Sequence, residues 1–121
     1  MDKKKDLRIR LIDFSVQIID IVNSLNNSKA SSHLGSQLLR SGTSPALNYG
    51  EAQSAESAKD FVHKIKVILK ELRETEINLN IINKAELSED MAKVRYGISE
   101  SNELISIFVS SIKTAQRNAK L

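Results

Sequence analysis

Cysteine and tryptophan are absent from this 121-residue sequence, which contains one proline, four glycines and 4% aromatic residues. Without cysteine there is no disulfide, no thiolate nucleophile and no cysteine-ligated zinc, and the composition fits a reducing compartment. So few glycines and prolines leave few turn signals, which favours a small number of long helices over many short strands. Leucine, isoleucine, valine and alanine must therefore fill the core, and the length is enough for a single one.

Long uninterrupted apolar runs are also missing. The first apolar segment, LRIRLIDFSVQIIDIV, contains Arg8, Arg10, Asp13 and Asp20, and these charges argue against a signal peptide or a membrane span. Charged residues make up 27% of the chain against 40% hydrophobic residues, so disorder is not expected. The sequence therefore predicts a cytoplasmic protein that does not enter a membrane.

Four amphipathic segments with short connections predict a bundle of helices. Apolar residues recur at spacings of three and four over about 4–25, 32–54, 57–84 and 89–118, with Ser88 placed to cap the last segment. Short connections make consecutive helices antiparallel. We therefore expect a single all-α domain over residues 1–121, folded as an antiparallel up-down-up-down four-helix bundle.

The first helix carries two apolar stripes. The longer stripe consists of Leu7, Leu11, Phe14, Ile18, Ile21 and Leu25, and the shorter one of Ile9, Ile12, Val16 and Ile19. At roughly 100° per residue the two stripes lie about 160° apart. The longer stripe is assigned to the core, which leaves the shorter one facing outward. Because a contiguous exposed apolar patch usually marks an interface, Ile9, Ile12, Val16 and Ile19 are predicted to form the contact of a homo-oligomer.

The segment LLRSGTSPALNYGEA, residues 38–52, contains the single proline and interrupts an otherwise helical pattern. Its two glycines and following residues do not match a phosphate-binding Walker loop. Pro45 has no N–H for the carbonyl of Ser41, and Gly42 loosens the same turn. Two outcomes are open: the second helix bends near Gly42–Pro45, or Ser44 caps a new helix that begins at Pro45. The helical pattern on both sides favours one kinked helix.

Residues able to carry out catalysis are not arranged as catalysis requires. His33 and His63 have no distinctive spacing, and no serine or threonine is paired with a base and an orienting acid. Glu71 and Glu74 lie three residues apart, a spacing that occurs in metal sites and in ordinary ion pairs. Antiparallel pairing brings Arg40 close to them, so a structural, partly buried Arg–Glu pair is favoured. The predicted polar network consists of Arg40, Ser44, Asn48, Glu51, Glu71 and Glu74. No enzymatic activity, cofactor or metal is expected.

Basic residues are predicted to gather at one end of the bundle. In this topology the start of the first helix lies beside the end of the last one, which brings together Lys3, Lys4, Lys5, Arg8, Arg10, Lys113, Arg117 and Lys120. One interpretation is a rim that binds the phosphates of RNA or DNA. The other is a solvated charged end, with a protein partner using the bundle surface instead.

The stretch QLLRSGTSPALNYGEAQSAESAKDFVHKIKVILKELRET resembles the bacterial four helix bundle protein family, also called the 23S rRNA intervening-sequence or S23-like family. The likeness is close over residues 37–82, and its motif positions are Arg40, Ser41, Ser44, Asn48, Glu51, Ala52, Asp60, Phe61, Lys64, Glu71, Glu74 and Thr75. Pro45-Ala46 and Gly50 stand where relatives often carry Val-Gly and Arg.

The resemblance implies a protein without enzyme activity. A related branch, the accessory proteins of diversity-generating retroelements, forms basic pentamers that bind a reverse transcriptase and nucleic acid. The resemblance therefore implies a pentameric homo-oligomer with nucleic acid as a candidate partner.

Overall fold

Four long helices make up the fold. The computed structural model describes the backbone of residues 3–119 and the side chains of residues 7–119. The helices are α1 (Lys3–Asn23), α2 (Lys29–Ala52), α3 (Ala58–Ala85) and α4 (Met91–Ala119). The predicted all-α four-helix bundle is confirmed.

Polar side chains set where the middle helices begin. The Ser28 hydroxyl accepts a hydrogen bond from the Ser31 N–H at 3.1 Å, so α2 starts at Lys29 rather than near residue 32 as predicted. The Ser57 hydroxyl accepts from the Asp60 N–H at 3.0 Å at the start of α3. Such caps satisfy backbone donors that have no partner within the helix.

The start of α4 differs from the prediction by two residues. This helix begins at Met91, and the Asp90 carboxylate accepts from the Lys93 N–H at 3.3 Å. Ser88, predicted to be the cap, instead accepts from the Asp90 N–H at 2.9 Å, and its hydroxyl lies 2.6 Å from that of Ser24. The Ser88 hydroxyl therefore ties the end of α1 to the α3–α4 connection.

A continuous aliphatic core runs along the bundle axis. Phe14 and Phe108 are its largest fully buried side chains, and the ring of Tyr49 packs edge-on against Phe108 with centroids 6.0 Å apart. Leu11, Phe14, Ile18 and Ile21 of the longer α1 stripe are buried. From α4, Val94, Leu104 and Phe108 are fully buried.

Helix α2 continues unbroken through Pro45. The alternative in which Ser44 caps a new helix is therefore excluded. Pro45 itself is buried. One turn earlier, Gly42 allows α1 and α2 to approach closely: a Cβ there would lie 2.6 Å from Ile18 Cγ1.

The helices pack in chain order around the core. α1 packs on α2, α2 on α3, and α3 on α4, while α4 returns to α1 through the loosest of the four contacts. In this arrangement α1 and α3 occupy opposite corners of the bundle.

Candidate functional site

A buried pair of hydroxyls joins α2 to α3. The hydroxyl oxygens of Ser41 and Thr75 lie 2.8 Å apart, and Thr75 Oγ1 is also 2.8 Å from the carbonyl oxygen of Glu71. Both residues are fully buried. Since each hydroxyl has a single proton, Ser41 donates to Thr75 whenever Thr75 donates to the carbonyl. The two hydroxyls bond to each other and to a backbone carbonyl, and they fix the register of α2 against α3. Neither a histidine nor a carboxylate side chain is among these hydrogen-bond partners, so the pair has no general base bonded to it.

The predicted Arg–Glu pair lies at the rim of the same helix contact. The guanidinium of Arg40 donates to Glu71 Oε2 at 3.0 Å and also contacts Glu74. The negative charge of Glu74, and to a smaller extent that of Glu71, raises the pKa of Arg40. The Arg40 side chain is 57% exposed and that of Glu71 is 13% exposed, so the pair is buried on the glutamate side and open to solvent at the guanidinium. An ion pair with one exposed partner contributes little to stability.

The remaining residues of the predicted network do not all join it. The Asn48 side-chain amide donates to Ser44 Oγ at 2.8 Å, one turn away on the same helix. Glu51 is exposed and takes part in none of the side-chain hydrogen bonds or ion pairs found in the described part of the chain. The structure thus resolves the predicted network into two local contacts and leaves Glu51 outside both.

A second ion pair, not anticipated from the sequence, crosses from α1 to α4. Arg10 donates to both carboxylate oxygens of Glu100, at 2.8 and 2.7 Å, and Glu103 lies 3.3 Å from the same guanidinium. The hydrogen bonds to Glu100 raise the pKa of Arg10 against the opposing effect of burial. Glu100 is buried. Arg10 was predicted to contact nucleic acid, but its charge is used within the protein.

Other members of the predicted basic rim fall into two groups. Arg8, Lys113 and Arg117 are exposed. The side chains of Lys3, Lys4 and Lys5, together with Lys120, lie outside the described residues. Of the four predicted rim residues whose side chains are described, three are exposed and Arg10 is paired with Glu100.

The two histidines are separated and exposed, His33 on α2 and His63 on α3. Among the residues whose side chains are described, no three histidine or carboxylate side chains cluster as a metal site requires. None of the described helices is both long enough and apolar enough to cross a membrane.

The shorter apolar stripe of α1 faces solvent. Ile9, Ile12, Val16 and Ile19 are 51%, 48%, 52% and 42% exposed. Two leucines of α2, Leu39 and Leu47, are exposed as well.

An open, mainly apolar groove of about 1150 Å³ lies at the end of the bundle where α1 and α3 begin and α4 ends. Its apolar walls include Leu7, Tyr49, Phe61 and Ile107, and its polar residues are Arg10, Ser106, Ser110, Ser111, Thr114 and Asn118. The titratable side chains on its walls are those of Arg10, which is engaged by Glu100, and Tyr49. A groove of this kind accommodates an apolar partner and offers no acid–base pair for catalysis.

Comparison with known proteins shows the family of this four-helix bundle. A family model described as 23S rRNA-intervening sequence protein matches residues 5–109. The chain belongs to this family. A crystal structure of a protein with unknown function from the S23 ribosomal protein family of Bacteroides thetaiotaomicron is 30% identical, covers 93% of this chain and 99% of its own, and superposes with a TM-score of 0.81. Comparison with curated proteins gives no match. Neither the 23S rRNA-intervening sequence family description nor its S23 relative names an enzymatic activity.

Proposed function

We propose that this family member is a non-enzymatic bundle that assembles with copies of itself through α1 and serves as a nucleic-acid-binding accessory protein. The observation that carries the proposal is the outward-facing stripe of Ile9, Ile12, Val16 and Ile19, each between 42% and 52% exposed.

This stripe has the character of an interface core. Its four aliphatic side chains follow one another at three- and four-residue spacing on a single helix face. Burying such a side chain completely is worth roughly 1.5–3 kcal/mol, so half-exposed side chains leave a substantial gain for a partner. Asp13 and Asp20 are exposed on the same helix, and polar residues around an apolar centre are typical of protein interfaces.

A second copy of the chain is the partner we propose for the stripe. Rings require two different, mutually complementary surfaces on each subunit. The α1 stripe supplies one, and the apolar groove beside α4 supplies a second surface of matching character. The resemblance to pentameric relatives suggests five subunits.

Positive charge supports nucleic acid as the ligand. The chain has 18 lysines and arginines against 15 aspartates and glutamates, a formal net charge of +3. Arg8, Lys113 and Arg117 are exposed in the described part of the rim. A protein partner that docks on the bundle surface is the second candidate, favoured by the exposed leucines Leu39 and Leu47.

Self-association is tested with a charge placed in the stripe. Val16→Glu should lower the mass measured by light scattering from a multiple of 13.5 kDa to that of a monomer, with helical content retained. Ile77→Glu is the matched control, because Ile77 is an aliphatic residue of α3 that is 60% exposed. A monodisperse wild-type monomer would rule out self-association.

A further inference from the structure

The exposed side of α3 has an unusual composition. Ten residues of this helix are exposed: Ala58, Lys59, His63, Lys66, Lys70, Arg73, Ile77, Ile81, Lys84 and Ala85. Five of them are lysine or arginine and none is acidic. We call Lys59, Lys66, Lys70, Arg73 and Lys84 the α3 basic stripe.

The four acidic residues of α3 lie outside its exposed side, and each carboxylate contacts another side chain. Asp60 lies 3.3 Å from Lys64 Nζ, and Glu71 and Glu74 contact Arg40. Glu76 accepts a hydrogen bond from the Asn80 side chain at 2.9 Å. All four carboxylates are partly buried.

The cations of the stripe, in contrast, have no carboxylate within ion-pair distance among the described side chains. This separation leaves the charged residues on the exposed side of α3 all positive, although the formal net charge of the whole chain is only +3.

The geometry of the stripe suits a regular polyanion. From Lys59 to Lys84 the helix rises by about 38 Å at roughly 1.5 Å per residue, close to the length of about 34–36 Å for one turn of a DNA duplex. The stripe contains no aromatic residue, so it lacks the platform on which unpaired bases stack. Ile77 and Ile81 occupy the gap between Arg73 and Lys84, so the stripe is interrupted by apolar side chains over this part of the helix.

We propose that the α3 basic stripe is the surface on which this protein binds double-stranded nucleic acid, through the phosphates and without reading sequence. The choice of nucleic acid as ligand rests on the proposed function, and the location on α3 is new. In this proposal the stripe, rather than the predicted rim to which Arg8, Lys113 and Arg117 belong, is the principal contact.

Two triple variants with the same change in charge separate the surfaces. The stripe variant is Lys66→Gln/Lys70→Gln/Arg73→Gln, and the rim variant is Arg8→Gln/Lys113→Gln/Arg117→Gln. All six residues are exposed, so both variants should keep the circular dichroism spectrum and melting temperature of the wild type. Each is titrated into fluorescent duplex RNA, duplex DNA and single-stranded RNA of equal length over a range of salt concentrations.

The stripe variant should lose at least tenfold in duplex affinity. Its plot of log K against log salt should become shallower by nearly three units, because each phosphate contact contributes a slope of about 0.9. The rim variant should change both quantities less. Equal affinities of the two variants, or a larger loss in the rim variant, would overturn the assignment to α3 and leave the proposed function standing.

Other outcomes address the ligand. Absence of wild-type binding to every nucleic acid at low salt would overturn both the proposed function and this inference. Tighter binding to the single strand would overturn the duplex as ligand. Since basic helices also bind anionic membranes, vesicles of phosphatidylserine and phosphatidylcholine are a further arm, and stripe-dependent binding to them without duplex binding would contradict the proposal.

Discussion

Gly42 determines how closely α1 and α2 approach. A Cβ at this position would lie 2.6 and 2.8 Å from the two γ-carbons of Ile18, closer than real side chains come. Ile18 is fully buried and cannot move aside without disturbing Phe14 and the rest of the core. The backbone freedom of glycine is not used here, since no glycine in the described chain has a positive φ. The absence of a side chain is what the position requires.

Gly42→Ala is therefore expected to destabilise the protein. Overpacking of a core typically costs about 1–3 kcal/mol, which outweighs the gain of up to about 1 kcal/mol from replacing glycine in a helix. Urea denaturation at one fixed protein concentration measures the change, because self-association is linked to stability.

Gly50→Ala is the matched control for this substitution. Nothing lies within 4 Å of a Cβ at Gly50, so the alanine should raise the free energy of unfolding by about 0.5–1 kcal/mol. An equal response of the two glycines would show that contact with Ile18 does not limit the α1–α2 distance.

The sequence allowed Arg40, Glu71 and Glu74 to be placed near one another, but not Arg10 and Glu100. A short α2–α3 connection sets the register of those two helices within a turn, so residues about thirty apart can be paired by counting. Arg10 and Glu100 are separated by 90 residues, and their pairing depends on how α4 returns to α1. That contact is the loosest in the bundle, and no local pattern encodes it.

At the scale of helices, α2 shows how a fold tolerates an unfavourable residue. Pro45 costs the hydrogen bond to the Ser41 carbonyl, yet α2 runs on from Lys29 to Ala52. The buried ring of Pro45 and the buried hydroxyl of Ser41 hold this part of α2 against the core. Sequence reasoning predicted one helix here because the pattern is helical on both sides of the proline.

Pro45→Ala should stabilise the protein if α2 needs no bend to pack. Proline inside a helix costs roughly 3 kcal/mol relative to alanine, and the loss of buried ring contacts offsets part of this. We expect the free energy of unfolding to rise by about 1–2 kcal/mol in urea titrations, with unchanged helical content. A lower stability would mean that the bundle is built around the bend that proline imposes.

Amphipathic patterns located the helices well because each has an apolar stripe. The same attention to apolar spacing concealed the α3 basic stripe, whose members follow one another at intervals of 7, 4, 3 and 11 residues and so share the opposite side of the helix. The signal was present in Lys59, Lys66, Lys70 and Arg73. The partners of the intervening acids were within reach of the sequence, because Lys64 and Asn80 follow Asp60 and Glu76 by four residues on the same helix. What the sequence could not show is which side chains of α3 remain exposed once α2 and α4 pack against it.

At the scale of the whole molecule, the two proposed surfaces sit on helices at opposite corners of the bundle. α1 carries the aliphatic stripe and α3 the basic one, and both helices are joined through α2 and α4. The groove that would receive the α1 stripe reaches only the start of α3, at Ala58, Phe61 and Ile65. In the proposed assembly most of the exposed side of α3 therefore stays open to solvent.

If the two proposals hold, this corner-to-corner placement predicts an assembly that connects duplexes rather than one that encloses a single duplex. Each subunit would present its cations outward, so neighbouring subunits would bind different duplexes. Two duplexes that carry different fluorophores should therefore colocalise on single particles when they are mixed with wild-type protein. Val16→Glu protein, added at a concentration that saturates each duplex, should leave the two colours on separate particles. If the two fluorophores stayed on separate particles in the presence of wild-type protein, all subunits of one assembly would be binding the same duplex.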